Sequence, residues 1–559
     1  MEAPITPICK TIWRSSLGTA ALLTAGIAPA NTMTRDALGT YVSARAADAS
    51  GDPAAAARLF ASLVRSMPAE PLLRRRAIGH AIEAGEMELA LQLAGRVPPE
   101  ETALDLRLLL VAEELRVGKA ARALEILRTR GGIIDSSFLS PFVEAWVRAE
   151  KRDKGAPASL DQVPDSSALA PLLNEHRALI LLKLKRPAEA APLAELALAK
   201  AGGRAERLRL AFADGFLRAG DKATALRMLD GGAGGALATG RAQIAAGKPL
   251  GQGIDTPSKA YAELLLGLSL ALSKMQNKSL PISLAQIARY SNPDNKAGTL
   301  LLALLLDSGK RSSDSLALLG TIEPSDPFAT QAEDAEVRIL SSIGRSEEAL
   351  ARARSFATAA PNADSFSRLG AVLTEREQYA EAVDAYGSAL ALAATRPGAD
   401  DPWALHLFRA SALESAGRWD EAKSEMAAAM ALSPDNPLLL NFLGYGQLER
   451  GENLDAAEAM VRQASALRPD DSSITDSLGW AQHKRGRTAE AIATLQRAAD
   501  GDPAQAEIHE HLGDALYTAG RRIEARFAWR AALVTAEDKA KKRLEAKIAT
   551  GLTTANASP

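Results

Sequence analysis

Apolar and small residues recur along this chain three and four apart, with polar turns between the segments, and that spacing predicts helices. Between Pro434 and Leu533 one pattern is written three times. Asn441-Phe442-Leu443-Gly444-Tyr445 leads to Leu454-Asp455-Ala456-Ala457 and Ala464, closing on Arg468-Pro469-Asp470. Asp476-Ser477-Leu478-Gly479-Trp480 leads to Ala489-Glu490-Ala491-Ile492 and Ala498, closing on Asp502-Pro503. His511-Leu512-Gly513-Asp514 leads to Ile523-Glu524-Ala525 and Ala532. Ala457, Ala491 and Ala525 stand 34 residues apart, a period that means stacked supersecondary units. Each unit predicts two antiparallel helices. Gly444, Gly479 and Gly513 fall inside the first, where glycine costs about 1 kcal/mol against alanine. That cost is offset if a neighbouring helix packs where a side chain would stand, and Ala457, Ala491 and Ala525 are small for the same reason. Gly451, Gly486 and Gly520 fall between the two helices and suit a left-handed C-cap. Pro434, Pro469 and Pro503 separate the units, because proline cannot continue a helix.

The 34-residue period, with Leu-Gly, then alanine, then alanine, then proline, resembles the tetratricopeptide repeat family. The resemblance covers most of the chain in period and Gly344 to Leu533 in detail. It implies an all-α fold, a right-handed α-solenoid of stacked helix pairs, and protein binding in a concave groove lined by the first helix of each pair. Placed by Gly444, Gly479 and Gly513, the family's groove-facing positions are Asn441, Tyr445, Asp476, Trp480, His483, Glu510, Asp514 and Tyr517. This mixed aromatic and acidic strip suits a neutral or basic peptide segment rather than a carboxylate. The alternative for Tyr445 and Trp480 is packing between repeats. Exported proteins of this family in Gram-negative bacteria are the nearest likeness.

The same pattern, weakened, predicts earlier repeats. Gly51, Ala56 and Phe60 match the loop, small and aromatic positions; Gly85 with Ala90, Gly118 with Ala123, and Asp221 with Ala225 follow. Residues 133–170 break the pattern. Residues 31–229 are thus read as degenerate repeats, 230–258 as a glycine-rich joint, 259–335 as further degenerate repeats, 336–533 as the clear array, and 534–559 as a polar capping helix with a disordered tail. The apolar runs Leu264 to Leu272 and Leu300 to Leu306 read as buried helices, too short to span a bilayer. Gly231-Gly232-Ala233-Gly234-Gly235 follows a helical pattern and lacks G-x-x-x-x-G-K-[ST], so it is read as a flexible turn and not as a phosphate cradle.

Residues 1–30 have the layout of a cleaved signal peptide: Lys10 and Arg14, an apolar run from Ser15 to Ile27, and Ala28-Pro29-Ala30 before the cut. Cleavage after Ala30 predicts a periplasmic or cell-envelope protein; a cytoplasmic leader is the alternative. The single cysteine, Cys9, would leave with the signal.

A net charge of −2 gives no footprint for nucleic acid. His509 and His511 are two apart and point to different helix faces, and H-E-x-x-H is missing, so neither metal nor cofactor is expected. No G-x-S-x-G elbow is present. The expected function is a non-enzymatic scaffold or adaptor for protein partners in the envelope. The alternatives are a targeting subunit of an envelope enzyme or secretion complex, and a cytoplasmic cochaperone.

Overall fold

The computed structural model describes residues 35–95, 97, 102–129, 135–164, 167, 169–230, 235–395 and 402–558. The expected signal and its cleavage point at Ala30, Cys9, and Gly231 to Gly234 lie outside the described residues. Among those described there is helix and no strand. Antiparallel helix pairs stack one on the next, so the all-α solenoid architecture holds. The chain divides into two compact units, Met1–Ala349 and Leu350–Pro559.

The C-terminal unit shows why its residues make this fold. Its pairs are Ala363–Glu375 with Tyr379–Ala393, Trp403–Ser415 with Trp419–Leu432, Pro437–Arg450 with Leu454–Leu467, Ser472–Lys484 with Thr488–Gly501, and Ala506–Thr518 with Arg522–Thr535. The first-helix glycines sit where the second helix presses closest. A Cβ on Gly479 would stand 2.6 Å from Leu495 Cγ, and one on Gly444 would stand 2.8 Å from the Ala457 carbonyl oxygen. Ala457, Ala491 and Ala525 are fully buried opposite them. The turn inside each pair needs a left-handed residue, and Gly451, Gly486 and Gly520 supply it with φ of 69°, 76° and 81°.

The same turn recurs where the left-handed residue is not glycine. Arg152, Lys185, Lys310 and Glu377 adopt φ of 58°, 57°, 63° and 59°. Arg152 lies in the stretch whose pattern breaks: helix Ser140–Glu150 there packs on a 3-10 segment, Ala156–Gln162, in place of a second α-helix.

Helix Asp538–Thr550 caps the last pair, burying little besides Leu544 and Lys547. The residues after it were expected to be disordered; instead Thr553 to Ser558 turn back onto the array. Asn556 Nδ2 donates to the Gly551 carbonyl at 2.9 Å, and the Ser558 backbone N–H donates to Asp514 Oδ2 at 3.1 Å. Ser558 thus joins Trp529 and Lys547 as donors to the buried Asp514 carboxylate.

In the N-terminal unit the first helices Pro71–Ala84, Leu104–Arg116, Ser140–Glu150, Ala170–Lys183 and Ala205–Ala219 follow in order. Helices Pro257–Leu272 and Ser279–Ser291 do not simply extend this row. They pack back against Pro71–Ala84, Leu104–Arg116, Ser140–Glu150 and Ala170–Lys183. Leu264, Leu265, Ile287 and Ala288 are buried there, and a helix apolar on most sides needs such a site.

Candidate functional site

On the adjoining first helices of the C-terminal unit, the eight expected groove residues fall in rows. Asn441, Asp476 and Glu510 form one row, Tyr445, Trp480 and Asp514 the next, and His483 and Tyr517 the third. Asp476, Trp480, Glu510 and Asp514 are buried, whereas Asn441, Tyr445, His483 and Tyr517 are half-buried. Trp480 bridges three repeats. Its Nε1 donates to Glu449 Oε1 at 2.6 Å, and its ring stacks on His511 at 4.1 Å between centroids and 12° between planes. His483 stacks on the same indole at 5.0 Å. Trp480 therefore packs between repeats, and the rim at the inner face is made by Asn441, Tyr445, His483 and Tyr517.

His511 was not among the expected groove residues, yet it organises the patch. Its Nδ1 lies 2.9 Å from Asp476 Oδ2. Burial pulls the imidazole pKa down, but the Asp476 carboxylate outweighs it and leaves the value raised. Burial lowers His483. The Tyr445 hydroxyl, raised first by burial and then by Glu449, Glu507 and Asp476, stays protonated and reaches Glu507 Oε1 at 3.5 Å. Four buried atoms in this patch find no hydrogen-bond partner in the protein: Asn441 Oδ1, Asp476 Oδ1, His483 Nδ1 and His511 Nε2. A buried polar atom without a partner carries its full desolvation cost, about 1–3 kcal/mol. His509, by contrast, is half-buried and lies by the Pro503 carbonyl at 3.1 Å.

The far end of the strip is occupied by the chain itself. Arg543 grips Glu510 with Nε at 2.7 Å and Nη2 at 2.8 Å. Lys547, fully buried, lies 2.6 Å from Glu510 Oε1 and 2.7 Å from Asp514 Oδ2. Burial alone would raise the Glu510 carboxyl, but the hydrogen bonds from Arg543 and Lys547 hold it at about 2. Trp529 Nε1 and Ser558 Oγ also donate to Asp514, at 2.9 and 2.8 Å. Tyr517 packs on Trp529 with centroids 5.5 Å apart. This acidic end of the strip is thus met by basic side chains of the chain's own last helix.

Among the described residues of the N-terminal unit, the row of first helices is covered by Pro257–Leu272 and Ser279–Ser291. The Tyr261 hydroxyl donates to the Leu108 carbonyl at 3.3 Å, Ser279 Oγ to Glu83 at 2.7 Å, and the Tyr290 hydroxyl to Glu113 at 2.7 Å. A buried charge cluster pins the covering helices. Glu263 accepts from Arg207 Nη2 at 2.7 Å, Arg207 Nε at 3.0 Å and Asn295 Nδ2 at 2.9 Å, while Arg204 joins Glu263 to Glu175. The described part of the expected glycine-rich joint is equally fixed. Arg207 Nη1 donates to the Gln252 carbonyl at 2.8 Å, Lys183 Nζ to the Asp255 carbonyl at 2.5 Å, and Arg218 to the Asp255 carboxylate at 2.6 Å. Gly253 is required by this close approach: a Cβ there would collide with Asp214 and stand 3.1 Å from Arg218 Nη2. At Gly253, then, glycine marks a tight contact.

No group of three or more His, Cys, Asp or Glu side chains stands ready to hold a metal ion among the described residues. No described helix is long and apolar enough to cross a membrane.

Residues 479–520 match the family model of the TPR repeat. No curated protein matches the chain. Among solved structures, the chain is similar to the Cut9–Hcn1 hetero-tetramer of the APC/C, at 15% identity over 93% of this chain and 97% of that one, with a TM-score of 0.38. It is also similar to a tetratricopeptide repeat protein from Parabacteroides merdae, at 13% identity over 51% and 97% of the chains, with a TM-score of 0.34. Human IFIT1, solved as a dimer with PPP-AAAA, matches at 15% identity over 79% and 97%, with a TM-score of 0.30.

Proposed function

We propose that this chain is a non-enzymatic scaffold of the cell envelope, and that it binds a segment of a partner protein on the inner face of its C-terminal repeats. Stacked helix pairs are protein-interaction architecture, and the N-terminal unit has already spent its own inner face on Pro257–Leu272 and Ser279–Ser291. The observation that carries the reading is the set of unpartnered polar atoms at Asn441, Asp476, His483 and His511, beside the half-buried Tyr445. Polar groups left without partners in a fold lose stability, and a bound segment that supplies donors and acceptors recovers it. Tyr445, with Trp480 packed behind it as support, would give the aromatic area typical of an interface anchor. The envelope location rests on the signal-like layout of residues 1–30.

The test is cross-linking in living cells with capture of the full-length protein, identification of what comes with it, and a reading of its N-terminus. Envelope partners, an N-terminus at Asn31, and loss of the captured partner in Tyr445→Ala are the expected result. Cytosolic partners on a chain that keeps Met1 would replace the envelope reading with a cytoplasmic cochaperone. A partner retained by Tyr445→Ala and Trp480→Ala would remove this face as the binding site.

A further inference from the structure

The second helix of the last repeat, Arg522–Thr535, buries Ala525, Ala528, Trp529 and Ala532 against the array. On its outer side it carries a second apolar stripe. Ile523, Phe527 and Val534 are 73%, 63% and 83% exposed. Repeat packing asks for nothing large at these positions. One repeat earlier the equivalent exposed residues are Ala489, Ala493 and Asp500, and two repeats earlier they are Asp455, Ala459 and Ala466. Only in the last of the three do small or charged residues give way to isoleucine, phenylalanine and valine. Three large apolar side chains held in water at positions where two sister repeats manage without them call for a surface that covers them.

The charge around the stripe says which kind. Arg521, Arg522, Arg526 and Arg530 flank it. Arg521 is paired with Glu524, but Arg526 donates to the Ile548 carbonyl at 3.0 Å and has no carboxylate. Arg522 lies over the Tyr517 ring at 5.6 Å, and Arg530 over the Phe527 ring at 5.9 Å. Lys541, paired with Asp538, and Lys542 are exposed on the following helix. Against these stand Glu524, Glu537, Asp538 and Glu545. In a chain whose net charge is −2, this end is a local basic surface studded with apolar side chains.

We infer that this outer face docks on an anionic lipid surface. Three side chains projecting from a helix offer no groove, and they fall well short of the roughly 800 Å² that a stable protein interface takes from each partner. An interfacial membrane contact needs much less: a few apolar side chains at headgroup depth, with arginine and lysine drawn to the anionic headgroups. Phe527 and Ile523 enter the headgroup boundary while Arg522, Arg526 and Arg530 stay at phosphate level. This docking leaves the inner face of the same repeats unobstructed, and it stands whether or not that face binds a protein.

The experiment is sedimentation of the full chain with large unilamellar vesicles of phosphatidylcholine alone, and of phosphatidylcholine with about one third phosphatidylglycerol, at low and at raised salt. The expected result is binding to the anionic vesicles, weak binding to the neutral ones, and loss as salt rises. The triple variant Ile523→Ser, Phe527→Ser, Val534→Ser should lower the vesicle-bound fraction at least tenfold with helical content unchanged, since all three side chains are exposed. Arg522→Glu with Arg530→Glu should do the same. The control Ala489→Ser with Ala493→Ser should bind as the wild type does. The inference is overturned if the wild type does not sediment with anionic vesicles, or if the triple serine variant sediments equally well. The latter would assign any binding to another segment, such as residues 15–27. Capture of an acidic protein by this face without vesicle binding would also overturn it.

Discussion

The two units use one building block and spend its inner face differently. In the N-terminal unit the row of first helices is covered by Pro257–Leu272 and Ser279–Ser291, and Glu263 ties the cover down through Arg204, Arg207 and Asn295. In the C-terminal unit only the last repeat is covered, by Arg543, Lys547 and Ser558 on Glu510 and Asp514. The preceding repeats keep the half-buried Asn441, Tyr445 and His483, with unpartnered atoms on Asn441, Asp476 and His483. Buried atoms without partners occur in the N-terminal unit too, at Ser140, His176 and Gln243 among others, so the contrast between the units lies in the helices that cover the N-terminal row. Regular repeats and a free inner face go together here, and so do irregular repeats and a filled one.

The largest effect expected of this contrast is at Glu263. Replacing it with alanine leaves Arg204 and Arg207 in a low-dielectric site with less countercharge, at a cost of about 3–5 kcal/mol. Hydrogen exchange should show lost protection over 257–291 with 437–535 unchanged. A loss in both units alike would mean that they do not hold together independently, and the comparison would fail.

Gly479→Leu is its counterpart in the regular array. The new side chain meets Leu495, whose Cγ stands 2.6 Å from the added Cβ, and overpacking of this kind costs about 1–3 kcal/mol. The melting temperature should fall by several degrees, with exchange increasing in Ser472–Lys484 and Thr488–Gly501. An unchanged melting temperature would break the register assigned to the repeats.

A smaller, pH-dependent effect sharpens the same comparison. His511 has a folded-state pKa raised above the ordinary imidazole value by the Asp476 carboxylate. Its contribution is therefore fully present below that value and is lost as pH rises through the folded pKa. The array should unfold more easily at pH 9 than at pH 6, and His511→Gln should flatten that slope. Glu510 has the opposite sign: held at about 2, it contributes fully above its unfolded value and is lost progressively as pH falls from there through about 2. The cap Asp538–Thr550 should thus stay protected through mildly acid conditions, which exchange at pH 4 would show.

The smallest effect concerns the left-handed turns. Lys310→Gly relieves a lysine at φ 63° and should stabilise the N-terminal unit by about 0.5 kcal/mol, the relief of the left-handed strain being partly offset by glycine's extra freedom in the unfolded chain. No gain in denaturant midpoint would show that the surrounding contacts already hold that turn without strain.

What could be read in one dimension was whatever repeats. Gly444 and Gly479 foretold the close approach of Ala457 and Leu495, because a residue that costs helix stability must be offset by packing. Asp476, Trp480, Glu510 and Asp514 were placed correctly on the first helices, but their depth was not legible. Whether such a residue faces a groove or a neighbour depends on how far apart adjacent first helices stand, and Trp480 fills that gap with His483 and His511. His511 was missed because its role exists only beside Asp476 and Trp480, 35 and 31 positions away. Arg152, Lys185 and Glu377 carry no glycine to announce their turns, and at Lys310 the left-handed residue is not the neighbouring Gly309.

The sequence by itself determined the helices, their pairing and their stacking, because each is enforced by contacts between near neighbours that every repeat must make again. Only the tertiary structure decided which inner face stays available. That depends on segments returning from far along the chain: Glu263 to Arg207, Ser279 to Glu83, and Ser558 to Asp514. Such contacts are made once, leave no period in the sequence, and are fixed by the demand that buried charge and apolar surface find partners wherever the chain can supply them.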